Sequence, residues 1–338
     1  MDAYEIHPEG EGLERLKRVR RPDPAPGPGQ VKLRVRAASL NYRDQIMLTG
    51  TYHTPAKGPV IPLSDGAGEV EAVGEGVTRF KSGDRAMATF FQTWIDGRPP
   101  KGFASLGVPL DGMLTHAIVL SEEGLVPMPA GMSFEAAACL PCAGVTAWNA
   151  LFGAGRPLIA GQSVLVQGTG GVSMFALQFA RVAGARVIAT TSSDEKAERL
   201  MALGASDVVN YKTHPDWEKE VRRLTDGQGV DVVVEVGGAG TLPKSYQALG
   251  WGGKIALIGV MTQPEDAKQL NPIGLAFKGG SLHGIMVGPR RMFEDMLEAI
   301  QTNAIEPLAD KVFPFEEAAE AYQVAGAGAF VGKVVIRT

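Results

Sequence analysis

The chain has 338 residues, 45% of them apolar and 21% charged, with a formal net charge of −4. That length calls for two domains, each with its own core, and the mild acidity offers no basic footprint for nucleic acid or an anionic membrane, so a small-molecule partner is expected. No apolar run is long enough to span a bilayer, and residues 1–12 lack the charged start and apolar core of a signal peptide, so a cytoplasmic location is expected.

Taken in order, the first 141 residues are rich in glycine and proline, with short strand-like runs at 31–37, 68–73, 84–88 and 115–120 between turn signals. This reads as a β-rich domain. The alternating Pro22, Pro24, Pro26 and Pro28 read as an extended surface connection. Residues 90–112 form a long loop carrying Phe90, Phe91, Trp94 and Phe103, and a loop of that length is expected to be functional or mobile. Cys139 and Cys142 make a C-L-P-C tetrapeptide. A reactive thiol needs a helix N-terminus, whereas Cys139 ends the helical run 134–138, so two small buried side chains are expected rather than a redox dithiol.

Residues 164–173, V-L-V-Q-G-T-G-G-V-S, organise the second half of the chain. An apolar strand-length run breaks at Gly168, Gly170 and Gly171, and a helical period then carries Val172, Phe175, Ala176 and Phe179. A turn without Cβ atoms lets a pyrophosphate approach the backbone, and the N-terminus of the next helix points unpaired N–H groups at it. Ser173 stands where a third glycine is expected, so the surrounding pattern must carry the assignment. That pattern continues with a strand at 186–191, a helix at 195–203, a strand at 207–211, a helix at 217–224, and strands at 230–236, 254–260 and 281–287. Strands alternating with helices predict an α/β fold with a doubly wound parallel sheet of the Rossmann type and a dinucleotide across its carboxyl edge.

The second strand of this unit ends in Thr190, Thr191, Ser192 and Ser193, with Lys196 one turn on and Lys212 beyond Tyr211. An Asp or Glu there would hold the ribose hydroxyls of NAD and repel a 2′-phosphate; hydroxyls and lysines suit the phosphate, so NADPH is expected. A plainer reading has Ser192 capping the helix, with Glu195 completing a capping box. The two are compatible. The apolar strand 281–287 is expected at the sheet edge, where a symmetric partner would make a homodimer.

The tail holds a helix at 292–300, a strand at 311–314, a helix at 315–324 and a closing strand at 333–337. These return to the style of the first part. The expected organisation is a catalytic domain of residues 1–141 and 289–338 and a nucleotide domain of 142–288, with the active site in a cleft between them.

Motifs along nearly the whole chain resemble the medium-chain dehydrogenase/reductase superfamily, in its zinc-independent quinone oxidoreductase and enoyl reductase branch. They are N-Y-R-D at 41–44, G-T-Y at 50–52, G-A-G-E-V at 66–70, G-D-R at 83–85, L-P-C-A-G-V-T-A-W at 140–148, S-S-D-E-K at 192–196 and G-K-V-V-I at 332–336. The resemblance implies a GroES-like first domain, a homodimer, and a 2′-phosphate held by Ser192, Lys196 and Tyr211. It places Thr146 beside the nicotinamide and the turn residues Gly168, Thr169, Gly170, Gly171 and Val172 against the cofactor. In zinc-dependent relatives a cysteine would stand at Asn41, a His-Glu pair at Ser64 and Asp65, and a cysteine at Cys142. Only Cys142 remains, and amide and hydroxyl groups do not replace thiolate and imidazole, so no metal is expected. The five histidines, His7, His53, His116, His214 and His283, have no ligand-spaced cysteine or histidine nearby.

Without zinc, charge on the acceptor must be met by hydrogen-bond donors, and the candidates are Asn41, Tyr42 and Tyr52. The resemblance puts a tyrosine at Tyr52 against the substrate carbonyl of enoyl reductases, whereas packing alone would also explain it. Arg43 and Asp44 read as a structural salt-linked pair. The expected function is NADPH-dependent hydride transfer to a quinone or an α,β-unsaturated carbonyl. A zinc-free alcohol or aldehyde dehydrogenase and a non-catalytic, redox-sensing NADPH-binding protein are the alternatives; a methyltransferase would need a ribose carboxylate that residues 190–193 lack.

Overall fold

Among the described residues the apolar runs between 160 and 290 form six strands in which every neighbouring pair is parallel. The structure is a computed structural model and describes residues 1–52, 58–259 and 272–338. Contacts divide the chain into one unit of Met1–Val145 with Gly288–Thr338 and another of Thr146–Val287.

Across the second unit's sheet the strands run Asp207–Asn210, Arg186–Thr191, Ser163–Gln167, Val230–Glu235, Leu249–Leu257 and Ser281–Gly284. Sequence order reverses at Ser163–Gln167, which gives a doubly wound Rossmann sheet with its switch point beside that strand. Val164, Leu165, Val166, Val232, Val233 and Val234 are all buried, as expected of central strands covered on both faces. The helix Gly171–Val182 buries Met174, Phe175, Leu177 and Phe179, which places the glycine turn between a rigid strand and a rigid helix.

Three local expectations shift. The fifth strand begins at Leu249, not residue 254. Leu249 pairs with Val230 and the register then slips to set Lys254 against Val232, so a bulge absorbs glycines that read as a turn. A helix at Leu242–Ala248 goes unanticipated because Pro243 and the glycines before it resemble a loop; proline is tolerated in a first turn. The edge strand stops at Gly284, and Val287 turns away with φ 46° and its carbonyl accepting from Asn149 Nδ2 at 2.7 Å. Val260 and His53 lie outside the described residues.

The first unit is the GroES-like domain. Its sheet runs Ala309–Pro314, Lys333–Arg337, Gln30–Ser39, Asp65–Val73, Arg85–Ala88 and Leu125–Pro127, with Ala117–Ser121 also paired to Gln30–Ser39. Val335, Ile336 and Arg337 lie opposite Ser39, Ala38 and Ala37, so the end of the chain completes a sheet begun at its start. Val31, Leu33 and Val35 enter a core that also takes Val334, Ile336, Phe315 and Tyr322 from the tail.

The long loop is anchored. Phe91 meets Phe90, Trp94 and Phe103 at ring-centroid distances of 4.6, 5.7 and 4.7 Å, and Phe90, Phe91 and Trp94 are buried. This aromatic packing, with short strands at Ser105–Leu106 and Pro109–Leu110, ties the loop to its own unit.

Candidate functional site: a phosphate turn and a buried polar cluster

In the second unit the chain leaves Ser163–Gln167 through Gly168, which has φ 70° and donates its N–H to Thr190 O at 2.9 Å. Glycine is the residue that takes this left-handed corner without strain. Gly170 then caps the helix with no side-chain hydrogen bond. Its backbone is ordinary, and a Cβ built there would meet nothing within 4 Å, so the protein itself leaves this space open. Together these make an anion cradle whose donors are backbone N–H groups. Ser173, at the third-glycine position, is buried and donates Oγ to Gln167 O at 2.6 Å, tying the helix start to the strand end. Thr169 is buried and Val172 half-buried in the same turn.

Thr191 and Asn210 are neighbours across the sheet, so Ser192 and Tyr211 follow them at one carboxyl edge, and Lys196 stands in the first turn of the helix Asp194–Ala202 that begins there. The helix cap here is Ser193, accepting from Lys196 N at 3.3 Å, rather than Ser192. With Ser193 as the cap the third helical residue is Lys196, which cannot accept from the cap's N–H, so the expected box with Glu195 is replaced by a single cap bond and Ser192 lies before the helix. Tyr211 is exposed and Lys212 lies over its ring at 6.0 Å. Thr146 is buried in the helical stretch Val145–Trp148.

In the first unit Asn41 caps the helix Tyr42–Thr49, and its N–H donates to the Asp44 carboxylate at 2.7 Å. Its side-chain oxygen accepts from Lys333 Nζ at 2.5 Å, and its amide nitrogen lies 3.4 Å from Ser64 Oγ. Lys333 also donates to Leu40 O at 2.6 Å and lies 3.7 Å from Asp65. Asp65 is fully buried and accepts from Ser64 Oγ at 2.6 Å and from the Cys142 N–H at 3.0 Å. The family's metal positions are thus joined in one hydrogen-bonded cluster around a buried ammonium.

Zinc does not fit this donor set. Asn41 and Asp65 already face a cation, a second positive charge beside Lys333 would be repelled, and the Cys142 thiol is pushed up to about 12 by burial although the residue as a whole keeps some exposure. Cys139, buried and donating to Glu135 O, is likewise pushed up to about 12, as two inert small side chains require. Among the described residues no three His, Cys, Asp or Glu side chains gather as a metal group.

Arg43 and Asp44 do not form the expected pair. Arg43 reaches Ser105 Oγ at 3.1 Å and Leu106 O at 2.7 Å and lies over the rings of Phe90 and Tyr52, while burial holds the Asp44 carboxyl above its ordinary range. Consecutive helical residues diverge by about 100°, which sends the two side chains to different neighbours. Tyr52 is half-buried against the core; Tyr42 is exposed at the helix start. Sequence reasoning misses the joint role of Lys333 and Asp65. The available signal is a lysine inside a closing strand that otherwise reads as core.

A GroES-like unit together with a Rossmann unit carrying a bare phosphate turn defines a nucleotide-dependent oxidoreductase of two domains. The chain belongs to the medium-chain dehydrogenase/reductase superfamily. Residues 27–130 match the alcohol dehydrogenase GroES-like domain and residues 171–302 the zinc-binding dehydrogenase domain. A zinc-type alcohol dehydrogenase-like protein of Schizosaccharomyces pombe is 43% identical over 99% of this chain and 98% of its own. An acryloyl-coenzyme A reductase of Metallosphaera sedula is 31% identical over 94% of both. Among solved structures, a quinone oxidoreductase of Pseudomonas syringae superposes with a TM-score of 0.84 at 29% identity, and a mycobacterial protein complexed with NADPH with 0.82 at 28%, each covering 100% of both chains. No helix among the described residues is long and apolar enough to cross a membrane.

Proposed function

We propose that the protein is an NADPH-dependent reductase that delivers hydride to a quinone or an α,β-unsaturated carbonyl without zinc. The observation that carries this reading is the cluster of Asn41, Ser64, Asp65 and Lys333, in which Lys333 holds the Asn41 oxygen and so orients its amide nitrogen as a donor, at positions where zinc-dependent relatives carry metal ligands. Bound NADPH supplies the hydride. Residues 142–288 form the nucleotide domain, with Gly168, Thr169, Gly170, Gly171 and Val172 at the diphosphate, Ser192, Lys196 and Tyr211 at the 2′-phosphate, and Thr146 beside the nicotinamide. Residues 1–141 and 289–338 form the catalytic domain.

Lys333 holds the Asn41 oxygen, so the amide nitrogen is presented as a donor with a proton beyond the one aimed at Ser64. That donor, with the Tyr42 and Tyr52 phenols, meets negative charge developing on the acceptor oxygen. An enone needs this more than a quinone, whose reduced oxygens take protons from water. The reading includes a homodimer, because the edge strand Ser281–Gly284 carries exposed Leu282 and lies beside exposed Trp251 and Phe277.

The test is consumption of NADPH, and separately NADH, against quinones, enones, enoyl thioesters and aldehydes, with elemental analysis of the same sample. Reduction of C=C or quinone by zinc-free protein is the expected result. Turnover confined to aldehydes, or one zinc per chain, would overturn the reading, and a monomeric mass by light scattering would remove the dimer.

A further inference from the structure

Glu235 lies at the carboxyl end of the strand beside the phosphate turn and is fully buried, yet among the described residues no ion pair reaches it. A buried carboxylate is tolerated only when hydrogen bonds replace its water. Here Oε1 accepts from Gly237 N at 2.8 Å, Gly238 N at 2.9 Å and Thr241 Oγ1 at 2.5 Å, and Oε2 accepts from Gln167 Nε2 at 2.9 Å and from Ser245 Oγ. Gln167 is engaged at both ends, since its Oε1 accepts from Val236 N at 3.2 Å and Gly237 N at 3.3 Å. Its carbonyl takes the Ser173 hydroxyl.

Gln167 is the residue immediately before Gly168. A turn of glycines has no side chains to hold it in place, so its position must be imposed from its neighbours. On one side the Gly168 N–H is bonded to Thr190; on the other, Glu235 grips Gln167 and the loop 236–241 together. We infer that Glu235 is a positioning residue for the cofactor, fixing the phosphate turn through Gln167 before the diphosphate arrives. This rests on the reading that the turn holds a dinucleotide. Preorganisation of this kind acts on affinity, and because the diphosphate is common to both cofactors, NADPH and NADH should feel it alike.

The experiment measures NADPH and NADH dissociation constants by fluorescence titration of the whole protein, alongside thermal midpoints without cofactor. Glu235→Gln turns an all-acceptor group into one that aims N–H bonds at donors, and should raise both constants by the same factor, about tenfold or more. The exchanged pair, Gln167→Glu with Glu235→Gln, restores a partner to every group and should bring both constants back to within about threefold of the parent. If Glu235→Gln does not fold, Gln167→Leu leaves the carboxylate its other four donors and should itself weaken both cofactors about tenfold. Parent-like constants in whichever of these variants folds, or a loss that the exchange does not restore, would overturn the inference. A parent protein that binds neither cofactor would instead sink the dinucleotide reading.

Discussion

The phosphate turn and the Asn41 cluster solve opposite problems with opposite materials. To an anion from outside, the turn offers backbone N–H groups, a left-handed corner at Gly168 and a helix start at Gly170 that no side chain caps. The cluster must hold charge inside the protein, and it does so by bonding Lys333 to Leu40 O and Asn41 and by giving Asp65 the donors Ser64 Oγ and Cys142 N–H. The first site is made by omitting side chains. The second is made of side chains that meet.

The largest effect expected from that contrast is on the stability of the cluster. Lys333→Met would leave Asp65 buried with only neutral donors, at a cost of about 3 kcal/mol. Adding Asp65→Asn should recover much of it, and denaturant unfolding of the four proteins in this cycle measures the coupling. Full additivity would mean that the two charges do not depend on each other.

At the turn the same logic predicts lost binding without lost folding. Gly170→Asp puts a good capping residue into open space, so the thermal midpoint should hold or rise. Its carboxylate would compete with the diphosphate for the same N–H groups, and NADPH should bind about a hundredfold more weakly. A fall in stability equal to the loss in binding would remove the contrast.

A smaller effect sharpens the cofactor side. Lys196→Ala should raise the NADPH dissociation constant about ten- to a hundredfold, the worth of one charge-assisted contact, and leave NADH nearly unchanged. Equal losses would assign Lys196 to the helix rather than to the 2′-phosphate.

The smallest expected signal concerns the thiols. Both thiols are pushed up to about 12 by burial, so little thiolate is present at pH 8, and Cys139 is in addition buried from reagent. Alkylation of native protein at pH 8 should therefore be negligible and become complete in denaturant. Rapid native labelling at Cys142 would show that the cluster opens.

Much of the nucleotide unit was legible as a linear pattern, because a strand, a glycine corner and a helix start are consecutive in sequence and governed by local backbone sterics. The alternation of strand and helix runs from residue 164 to residue 284 predicted the element order that the sheet displays, and the pairing of Thr191 with Asn210 brings Ser192 and Tyr211 to the same edge of that sheet. The missing helix at Leu242–Ala248 and the bulge at Leu249 show the limit of local reading, since packing overrode the turn signals there.

What the sequence by itself determined is the fold class, the phosphate turn and the absence of a thiolate-imidazole ligand set, all properties of residue type and short spacing. Only the tertiary structure decided that Lys333 meets Asn41 across 292 positions, that Arg43 turns from Asp44 to Ser105, and that Glu235 grips Gln167 across 68. Those partners are chosen by strand order and burial. A buried charge takes whichever donor the fold brings within about 3 Å, however far away it lies along the chain.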